Sequence, residues 1–527
     1  MAQSLLPSDS YDQVQFSSRP TPERTPSRFW VVGALRGMRP VLPSRAKFLE
    51  IGCSTGRHLL FLAELYPEAH FLGVDSSGEQ IAQAVSLQRT LGLKNVEFLC
   101  SDIQNFAVQE FAYDYILCHG LYSWCSKPLQ NRVFEILQHG LTETGIAYVS
   151  HNSLPGWGAR QSVRDILALF DDPKLPATER VHRARQVIQG AEDLLVDAYR
   201  PHGMLLREEL ERNLQRSESF FIHELLAQNV SGSSLQDMSH HAAQYGMRYL
   251  GDANPQRMSQ FDKRRDDLPE DFKRDTSDKR AQLLDILFPS SFRGSLWVRQ
   301  SHELAEELQS ELIPQTYISS PLMLETELHH DGELDSFRMT PFYGPGDNVV
   351  EVRAPALKHV LLELSHSWPT PVAFSDILRR VAKSVTFAEG EEERLREEIS
   401  ALFIQGVLDI YSEAIPIAKD VSEYPEVMKF AQYSHADGWV TTLRNEIFQL
   451  DSLDEKLLPL LDGKRSFDEL LVSIKEGIKN GELSMQVEGK PVSERGMAET
   501  LQDELRARLE VYAEQALLRS PHHEQTL

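Results

Sequence analysis

A glycine-rich turn between a short apolar strand and a helix constrains this fold more than any other feature of the sequence. The apolar run Phe48–Ile51 ends at Gly52, and leucines then recur at helical spacing from Leu59 until Pro67. A strand, a glycine turn and a helix in this order open a βαβ unit, in which the next strand returns parallel to the first. The segment therefore predicts the start of a parallel sheet.

The same alternation of strands and helices continues up to Val149. Because strands separated by helices pair in parallel through right-handed crossovers, the sequence predicts an α/β fold with a doubly wound, Rossmann-like sheet. Ligands of such sheets bind outside the carboxyl ends of the strands. The predicted strands are Phe48–Ile51, Phe71–Val74, Val96–Leu99, Tyr113–Cys118 and Ile146–Val149, and the predicted helices lie near Leu59–Leu65, Ile81–Gln88 and Arg132–Gln138.

The glycine turn and an acidic residue predict a nucleoside-containing cofactor. The turn reads EIGCSTG from Glu50 to Gly56, and Asp75 follows at the end of the second predicted strand. Glycine lets the backbone approach a bound molecule without a Cβ clash, and an acidic side chain at the second strand end can accept hydrogen bonds from both ribose hydroxyls.

Two cofactors compete for this pattern. A dinucleotide fingerprint requires G-x-G-x-x-G, whereas this chain has Ser54 in place of the second glycine and Arg57 near the start of the helix. Glu50, two residues before Gly52, suits a cofactor with a cationic sulfonium and an amino group better than a pyrophosphate. The balance favours S-adenosylmethionine.

Longer stretches resemble a known family, the class I S-adenosylmethionine-dependent methyltransferases that carry a methyltransferase regulatory domain. This family includes the rickettsial-type bacterial protein-lysine methyltransferases, which act on outer-membrane proteins. The resemblance covers most of residues 11–300 and more loosely residues 460–471. The stretches are LEIGCSTG at 49–56, GVD at 73–75, SD at 101–102, CHGLYSW at 118–124, YVSHNSLPGW at 148–157, FFIHELLAQN at 220–229, AAQYGMRYL at 242–250 and LLDGKRSFDELL at 460–471.

The resemblance implies a set of site residues and no metal. The glycine-loop residues would surround the methionine portion of the cofactor, Asp75 the ribose, and Asp102 and Ile103 the adenine. His119 would stand near the transferable methyl group. The implied cofactor-binding set is Glu50, Gly52, Cys53, Ser54, Gly56, Asp75, Asp102, Ile103 and His119, and the implied catalytic set is His119, Tyr122 and Trp124.

Aromatic residues near the strand ends are candidates for the lining of an acceptor pocket. Tyr122, Trp124 and Trp157 are those candidates, and each is equally compatible with ordinary core packing. The family usually has glycine at the position of Ser54 and an aromatic residue at that of His151, so the chain departs from the family pattern at both positions.

The rest of the chain predicts accessory domains. Residues after about 170 are helical and charged, with helices expected over Glu179–Tyr199 and Leu206–Gln215 and a short one over Phe220–Gln228. The charged stretch 255–282 is interpreted as a solvated loop or exposed helix. The last third suggests two modules of helices closing on a small hairpin, and because these modules lack basic helices, we interpret them as protein-contact or packing modules rather than DNA readers. The predicted domains are an N-terminal arm at 1–28, a methyltransferase domain at 29–170, a helical regulatory domain at 171–345, and winged-helix-like modules at 346–420 and 421–527.

Charge and composition narrow the partners. A formal net charge of -24 argues against an extended nucleic-acid surface and would attract a basic substrate. The sequence shows neither a secretory signal nor an apolar stretch long enough to enter a membrane, so we expect a cytoplasmic protein. Cys53, Cys100, Cys118 and Cys125 form no CxxC pair and are interpreted as reduced packing residues.

Three functions remain open at this level. The first is transfer of methyl groups to lysine side chains of a protein, with the residues after 170 providing a substrate groove or a homodimer contact. The second is methylation of a small molecule or natural product. The third is a non-catalytic cofactor-binding adaptor, which the replacement of glycine by Ser54 favours.

Overall fold

The computed structural model describes residues 21–197, 199–258, 277–324, 334–346, 348–434, 438–483, 486–487, 490–491 and 494–520. Its largest element is an eight-stranded sheet in the order β3-β2-β1-β4-β5-β8-β7, with β6 paired to β5. The strands β1 to β5 run parallel to one another. They are β1 at Lys47–Ile51, β2 at His70–Asp75, β3 at Val96–Cys100, β4 at Tyr113–Cys118 and β5 at Leu141–Ser153. The predicted doubly wound sheet is confirmed.

Helices cover both faces of the parallel strands. They begin and end at positions with a local cause: α3 starts where Ser77 Oγ accepts a hydrogen bond from Gln80 N at 3.2 Å, and it ends at Gly92 in the left-handed region. Each predicted helix of this region is present with longer bounds. The helices are α1 at Pro26–Leu35, α2 at Arg57–Leu65, α3 at Gly78–Leu91 and α4 at Lys127–Gly140.

The sheet does not end at the fifth strand. The strand β8 (Phe292–Arg299) pairs antiparallel with β5, and β7 (Met247–Asp252) pairs antiparallel with β8. The sequence placed the end of the sheet at Val149 and assigned residues 171–345 to a separate helical domain. That division is wrong for the two strands, because β8 buries Leu296, Trp297 and Val298 against the sheet core and is as integral to it as β5.

A helical layer lies between β5 and β8 in the chain. Its first helices share a small apolar core that includes Val163, Ile188, Leu210 and Phe221. Glu218–Phe220 continues as a π-helical turn at Phe221–Leu225, where the sequence predicted one short helix. The elements are α5 at Gly158–Ala168, α6 at Ala177–Asp193, α7 at Pro201–Leu214, α8 at Glu218–Phe220, β6 at Gly232–Ser233, α9 at Leu235–Ala243 and α10 at Ser277–Leu287. The charged stretch 255–282 lies mainly outside the described residues.

Two modules follow, each with helices packed on short strands. The first joins β9, β13 and β14 in one sheet, and β10, β11 and β12 form a neighbouring sheet. Its strands are β9 at Tyr317–Ser319, β10 at Met323–Leu324, β11 at Thr340–Tyr343, β12 at Val349–Val352, β13 at Val372–Ala373 and β14 at Asp409–Tyr411. Its helices are α11 at Pro355–Ser367, α12 at Phe374–Val381 and α13 at Glu391–Ile404.

The second module is the C-terminal winged helix, whose hairpin β15–β16 is followed by three helices. Capping boxes start two of its helices, at Asp451 and Ser466, as expected for well-defined helix boundaries. The elements are α14 at Lys429–Tyr433, β15 at Trp439–Thr441, β16 at Ile447–Gln449, α15 at Ser452–Leu457, α16 at Phe467–Lys479, β17 at Gln486–Val487, β18 at Lys490–Pro491 and α17 at Glu494–Glu514.

Two expectations about the amino-terminal half need correction. The predicted arm extended to residue 28, but residues 21–28 are ordered, and Arg24 is 1% exposed because it pairs with a buried carboxylate of the sheet. The cysteines are free thiols, yet Cys100 is exposed and therefore does not serve packing.

A buried charge cluster joins β7, β8 and α10. Arg293 is 1% exposed and lies 3.0 Å from Asp252 and 2.6 Å from Asp285, and it also donates to the Tyr249 hydroxyl at 2.7 Å. Burial acts to lower the pKa of the guanidinium, but Tyr249, Asp252 and Asp285 together outweigh it and raise the pKa. The cluster fixes the antiparallel strands to the helix that covers them.

We predict that Arg293→Met lowers the free energy of unfolding by about 3–5 kcal/mol, because it leaves two buried carboxylates without their cation. Urea unfolding followed by near-ultraviolet circular dichroism measures this loss. The matched control is Arg379→Met, which removes a mostly exposed partner of Asp376 and should cost less than about 1 kcal/mol. Equal stability of the Arg293 variant and the control would show that the cluster does not hold the sheet.

Candidate functional site

The loops that follow β1, β2, β4 and β5 meet at the carboxyl edge of the sheet. This is the edge at which doubly wound sheets bind ligands. Within the described residues, the sequence-predicted site residues belong to these loops and to the segment after β3. The site is therefore built from separate parts of the first 160 residues, and later segments of the chain close it.

The glycine loop turns sharply because three of its residues have left-handed backbones. The φ angles are 73° at Gly52, 54° at Ser54 and 66° at Gly56. A Cβ at Gly56 would lie 2.4 Å from the Phe98 ring, so glycine is required there on two grounds. Ser54 adopts the same left-handed region with a Cβ, which explains why the family favours glycine at this position and which costs about 1–3 kcal/mol.

Asp75 holds this loop against the end of the second strand. Its Oδ2 accepts a hydrogen bond from Ser54 N at 2.9 Å, and its Oδ1 accepts one from Ser77 N at 3.0 Å. Burial raises the pKa of Asp75, and the backbone donors oppose that shift. Each carboxylate oxygen has a second lone pair, so the side chain can still accept hydrogen bonds from the two hydroxyls of a ribose.

Glu50 lies beneath the loop and is 2% exposed. Its Oε1 is 3.6 Å from Arg24 and 3.4 Å from His58, while Oε2 is buried without a hydrogen-bond partner in the structure. Burial lowers the pKa of His58, with Arg24 adding to that effect. The unpartnered oxygen and the glycine cradle fit a cofactor that brings a cationic amino group.

The segment after β3 contributes a polar and an apolar residue. Asp102 is exposed and accepts from Gln104 N at 2.9 Å, and Ile103 is 8% exposed beside it. Cys53 of the glycine loop is 3% exposed, and burial raises the pKa of its thiol. An exposed carboxylate next to an apolar surface is a suitable environment for an adenine ring, which has amino donors and flat apolar faces.

His119 stands at the end of β4 within a chain of hydrogen bonds. Gly120 N donates to Ser150 Oγ at 2.8 Å, and the Tyr148 hydroxyl lies 3.0 Å from His119 Nδ1. Burial moves the pKa of His119 well below its ordinary value, and the positive charges of Arg24 and His58 add to this effect. At neutral pH the imidazole is uncharged, so it serves as a hydrogen-bonding wall residue rather than a strong base.

An aromatic wall continues from His119 along the edge. The Phe292 ring lies 5.7 Å from His119 and 6.4 Å from Trp124, and Glu224 contacts Trp124 through a side-chain hydrogen bond. Phe292 opens β8, opposite Asn152 at the end of β5. Sequence reasoning missed Phe292 and Glu224, although Glu224 falls inside the FFIHELLAQN stretch that the resemblance had singled out.

Tyr122 and Trp157, two of the predicted lining residues, are almost fully buried. Tyr122 is 2% exposed, and its hydroxyl is hydrogen-bonded to His241 Nδ1 at 2.8 Å. Trp157 is 1% exposed and packs against Gly232 of β6. Both rings pack against segments that come later in the chain, and their role in lining a pocket stays a prediction.

His151 is fully buried, and neither ring nitrogen has a hydrogen-bond partner in the structure. Burial lowers its pKa to about 3, and Arg293 and Arg257 add to the shift. A neutral, buried imidazole acts as a packing group, which explains how histidine replaces the aromatic residue of the family here.

The C-terminal winged helix contacts α2, the helix that follows the glycine loop. Arg57, the first residue of α2, donates to the carbonyl of Ser434 and lies 5.0 Å above the Trp439 ring. Glu64 near the end of α2 accepts from Lys429 N and Phe430 N at 2.7 Å each. Both ends of α2 are therefore attached to this distant part of the chain.

Three family models match the chain in succession. A methyltransferase domain matches residues 42–176, a predicted methyltransferase regulatory domain matches residues 217–299, and the C-terminal winged helix domain of PKMT matches residues 423–517. An uncharacterized protein of Rickettsia prowazekii is 31% identical over 224 residues, which cover 42% of this chain and 90% of that protein. The chain belongs to the class I methyltransferases with a methyltransferase regulatory domain.

Another relative and two solved structures are similar to this chain over nearly its whole length. A second uncharacterized protein of Rickettsia prowazekii is 24% identical over 501 residues, 92% of this chain and 89% of that protein. The structure of PKMT2 from Rickettsia typhi matches with a TM-score of 0.82 at 22% identity and covers 95% of this chain and 100% of the other. Its structure in complex with AdoHcy matches at 0.82 and 23% identity, over 95% and 99% of the two chains.

The methyltransferase uses S-adenosylmethionine, as the cofactor cradle and the family indicate. Of the residues that the structure describes, none form a cluster of three or more potential metal ligands. Within the same residues, every helix is too short or too polar to cross a bilayer. When bound, the cofactor supplies an electrophilic methyl group, and the protein contributes alignment and charge matching.

We predict that Asp75→Ala weakens cofactor binding by about 10–150-fold, the equivalent of about 1.5–3 kcal/mol for a lost charge-assisted hydrogen bond. The turnover at saturating cofactor should change little, because a ribose contact is similar in the ground and transition states. Calorimetry and saturation kinetics measure the two effects. The matched control is Asp114→Ala, whose carboxylate binds Lys47 N at the opposite edge of the sheet and should not affect the cofactor. Wild-type affinity in the Asp75 variant would refute the ribose contact.

Proposed function

We propose that this methyltransferase transfers methyl groups to the Nζ atoms of lysine side chains in a protein substrate. The observation that carries the proposal is the wall of Trp124, Phe292 and His119 beside the cofactor edge, with the half-buried carboxylate of Glu224 hydrogen-bonded to Trp124. Aromatic faces favour a cationic sulfonium and a methylated ammonium, and a carboxylate attracts the ammonium of lysine.

The proposal requires an environment that removes a proton from lysine. With an ordinary pKa near about 10.4, roughly one lysine in 2,500 is neutral at pH 7. A desolvated pocket disfavours the charged form and lowers that pKa. Aligned side chains then present the nitrogen lone pair along the line of displacement.

We propose the residues that hold the cofactor from the geometry above. Glu50, Gly52, Cys53, Ser54 and Gly56 would enclose its methionine portion, with the unpartnered Oε2 of Glu50 toward the amino group. Asp75 would bind the ribose. Asp102 and Ile103 would flank the adenine, while His119 would lie near the methyl group. Tyr122 and Trp124 are proposed, together with His119, as the catalytic-pocket residues.

We propose the partners and the location of the protein from its surface properties. Large apolar side chains are exposed along the helical layer, which is unusual for a monomer and supports a homodimer or a substrate contact there. They include Leu169, Phe170, Leu194, Val196, Tyr199, Met204 and Leu205. The net charge of -24 supports a basic protein partner, as opposed to nucleic acid, and we propose a cytoplasmic location.

We predict that purified enzyme transfers methyl label from S-adenosylmethionine to protein in a bacterial lysate, and that mass spectrometry locates the label on lysine Nζ. The reason is the lysine-selective environment at the cofactor edge. Trp124→Leu should reduce the labelling by about tenfold, as expected for the loss of about 1.4 kcal/mol of ring contact. The control is Trp368→Leu, which changes a partly buried ring at the end of α11 and tests whether the loss of any tryptophan has the same effect.

Other outcomes separate the competing functions. Label that appears in a metabolite fraction would identify a small-molecule methyltransferase. Tight cofactor binding without label transfer would identify an adaptor. Label on arginine, glutamine or a protein terminus would overturn lysine as the acceptor.

A further inference from the structure

Glu224 belongs to a turn that is held in place by the side chain of Arg164. It lies in the π-helical turn Phe221–Leu225, and Arg164 of α5 binds the carbonyls at the end of this turn, including Leu225 O at 3.0 Å and Ala227 O at 2.6 Å. A π turn exposes backbone carbonyls that an ordinary helix would satisfy, and such turns recur at functional sites. The position of the Glu224 side chain is therefore built into the fold.

The basic groups around Glu224 are engaged elsewhere. Arg160 pairs with Glu209 at 2.8 Å, and Arg216 lies 5.0 Å above the Phe220 ring. The guanidinium of Arg164 donates hydrogen bonds to the backbone carbonyls of the turn. The Glu224 carboxylate accepts a hydrogen bond from the Trp124 side chain, and the three arginines act on it from a longer distance. The side chain is half-buried, and among the described residues no ion pair with an N–O distance of 4.0 Å or less includes it.

The segment that carries Glu224 is attached to the cofactor edge. After the turn, Ser231 N donates to Ser123 O at 2.9 Å, and β6 pairs in parallel with Asn152 and Ser153 at the end of β5. Trp124 is the last residue of the short helical turn Tyr122–Trp124 that comes after β4, and it is next to Ser123. The hydrogen bond between Glu224 and Trp124, and the contacts of the Phe292 ring with Trp124 and His119, connect Glu224 to the edge that carries His119.

Partial burial disfavours the charged form of the Glu224 carboxylate, and a bound ammonium would stabilise that form. Burial raises the pKa of Glu224 to about 7, while the more distant charges of Arg160, Arg164 and Arg216 act against this shift. A carboxyl group with this pKa binds an ammonium when ionised, and it can also keep a proton near neutral pH. His119 lacks this property because its pKa is far lower.

We propose that Glu224 receives the ammonium of the substrate lysine and takes one of its protons. The proposal rests on the lysine methyltransferase function above. In the proton transfer, an Nζ–H bond breaks and an O–H bond forms on the carboxylate, which leaves the nitrogen lone pair free for the methyl group. The proton then passes to solvent, and the methylated product carries the positive charge away.

Kinetics as a function of pH test the role of Glu224. In the wild type, turnover at saturating substrate should rise through a pKa near 7 and level off above it, because the ionised carboxylate is the active form. Glu224→Gln should lower turnover at pH 7 by about 100-fold. Its rate should continue to rise above pH 9, following the lysine itself. Glu224→Asp should recover part of the loss.

The matched control is Glu218→Gln, the same substitution on the exposed start of α8 in the same segment. It should retain the wild-type pH profile. If Glu224→Gln keeps both the wild-type rate and the wild-type pH profile on a lysine peptide, the proposal is overturned.

Peptide binding gives a readout that does not depend on turnover. In the presence of S-adenosylhomocysteine, the wild type should bind a lysine peptide at least about tenfold more tightly than the same peptide with norleucine, because only lysine supplies the cation. Glu224→Gln should bind both peptides equally. A structural role alone would weaken both peptides together and leave their ratio unchanged, which would overturn the proposal even if the variant were less stable.

Failure of the proposed function has a different signature. If the wild type transfers label to a non-lysine acceptor, the lysine assignment fails before Glu224 is tested. If the wild type methylates lysine and the Glu224 variants behave as the control does, only the role of Glu224 fails.

Discussion

The antiparallel pairing of β8 with β5 is the constraint on which the rest of this structure depends. It places Phe292 opposite Asn152, next to the cofactor edge, and it brings Arg293 into contact with Asp252 and Asp285. Because β5 and β8 are consecutive in the sheet but far apart in the chain, the residues between them must form a layer that returns to the same edge. That layer carries Glu224 and closes the site on the side that a bare five-stranded sheet would leave open.

The charges around the edge fall into two groups with different consequences. Arg293 is buried beside Asp252 and Asp285, so it holds the strands together. Glu50 pairs with Arg24 through one oxygen, and its other oxygen has no hydrogen-bond partner, so it can also bind the cofactor. Glu224 is half-buried, and its neighbouring arginines contact other groups. A buried ion pair stabilises the fold, whereas a carboxylate without a close cation can bind a ligand.

The C-terminal module is coupled to the cofactor loop through one helix. Arg57 and Glu64 attach the two ends of α2 to Ser434 and to the start of α14, and Gly56 immediately precedes α2. A displacement of the winged helix would therefore move the residue that ends the glycine loop. This arrangement gives the protein-contact module that the sequence predicted a direct mechanical connection to the cofactor site.

The sequence by itself determined the parallel half of the fold and the cofactor class. Strand and helix periodicity is local, and the glycine turn with Asp75 requires only two neighbouring strand ends, so β1 to β5 and the residues Gly52, Gly56 and Asp75 could be predicted from spacing. The side chains at the acceptor side could not. Whether Tyr122, Trp124 or Trp157 faces a pocket or the core depends on which distant segment covers it, and here those segments carry His241, Phe292 and Gly232. Only the tertiary structure added β7 and β8 to the sheet, because the pairing of antiparallel strands that are far apart in the chain leaves no periodic signal in the sequence.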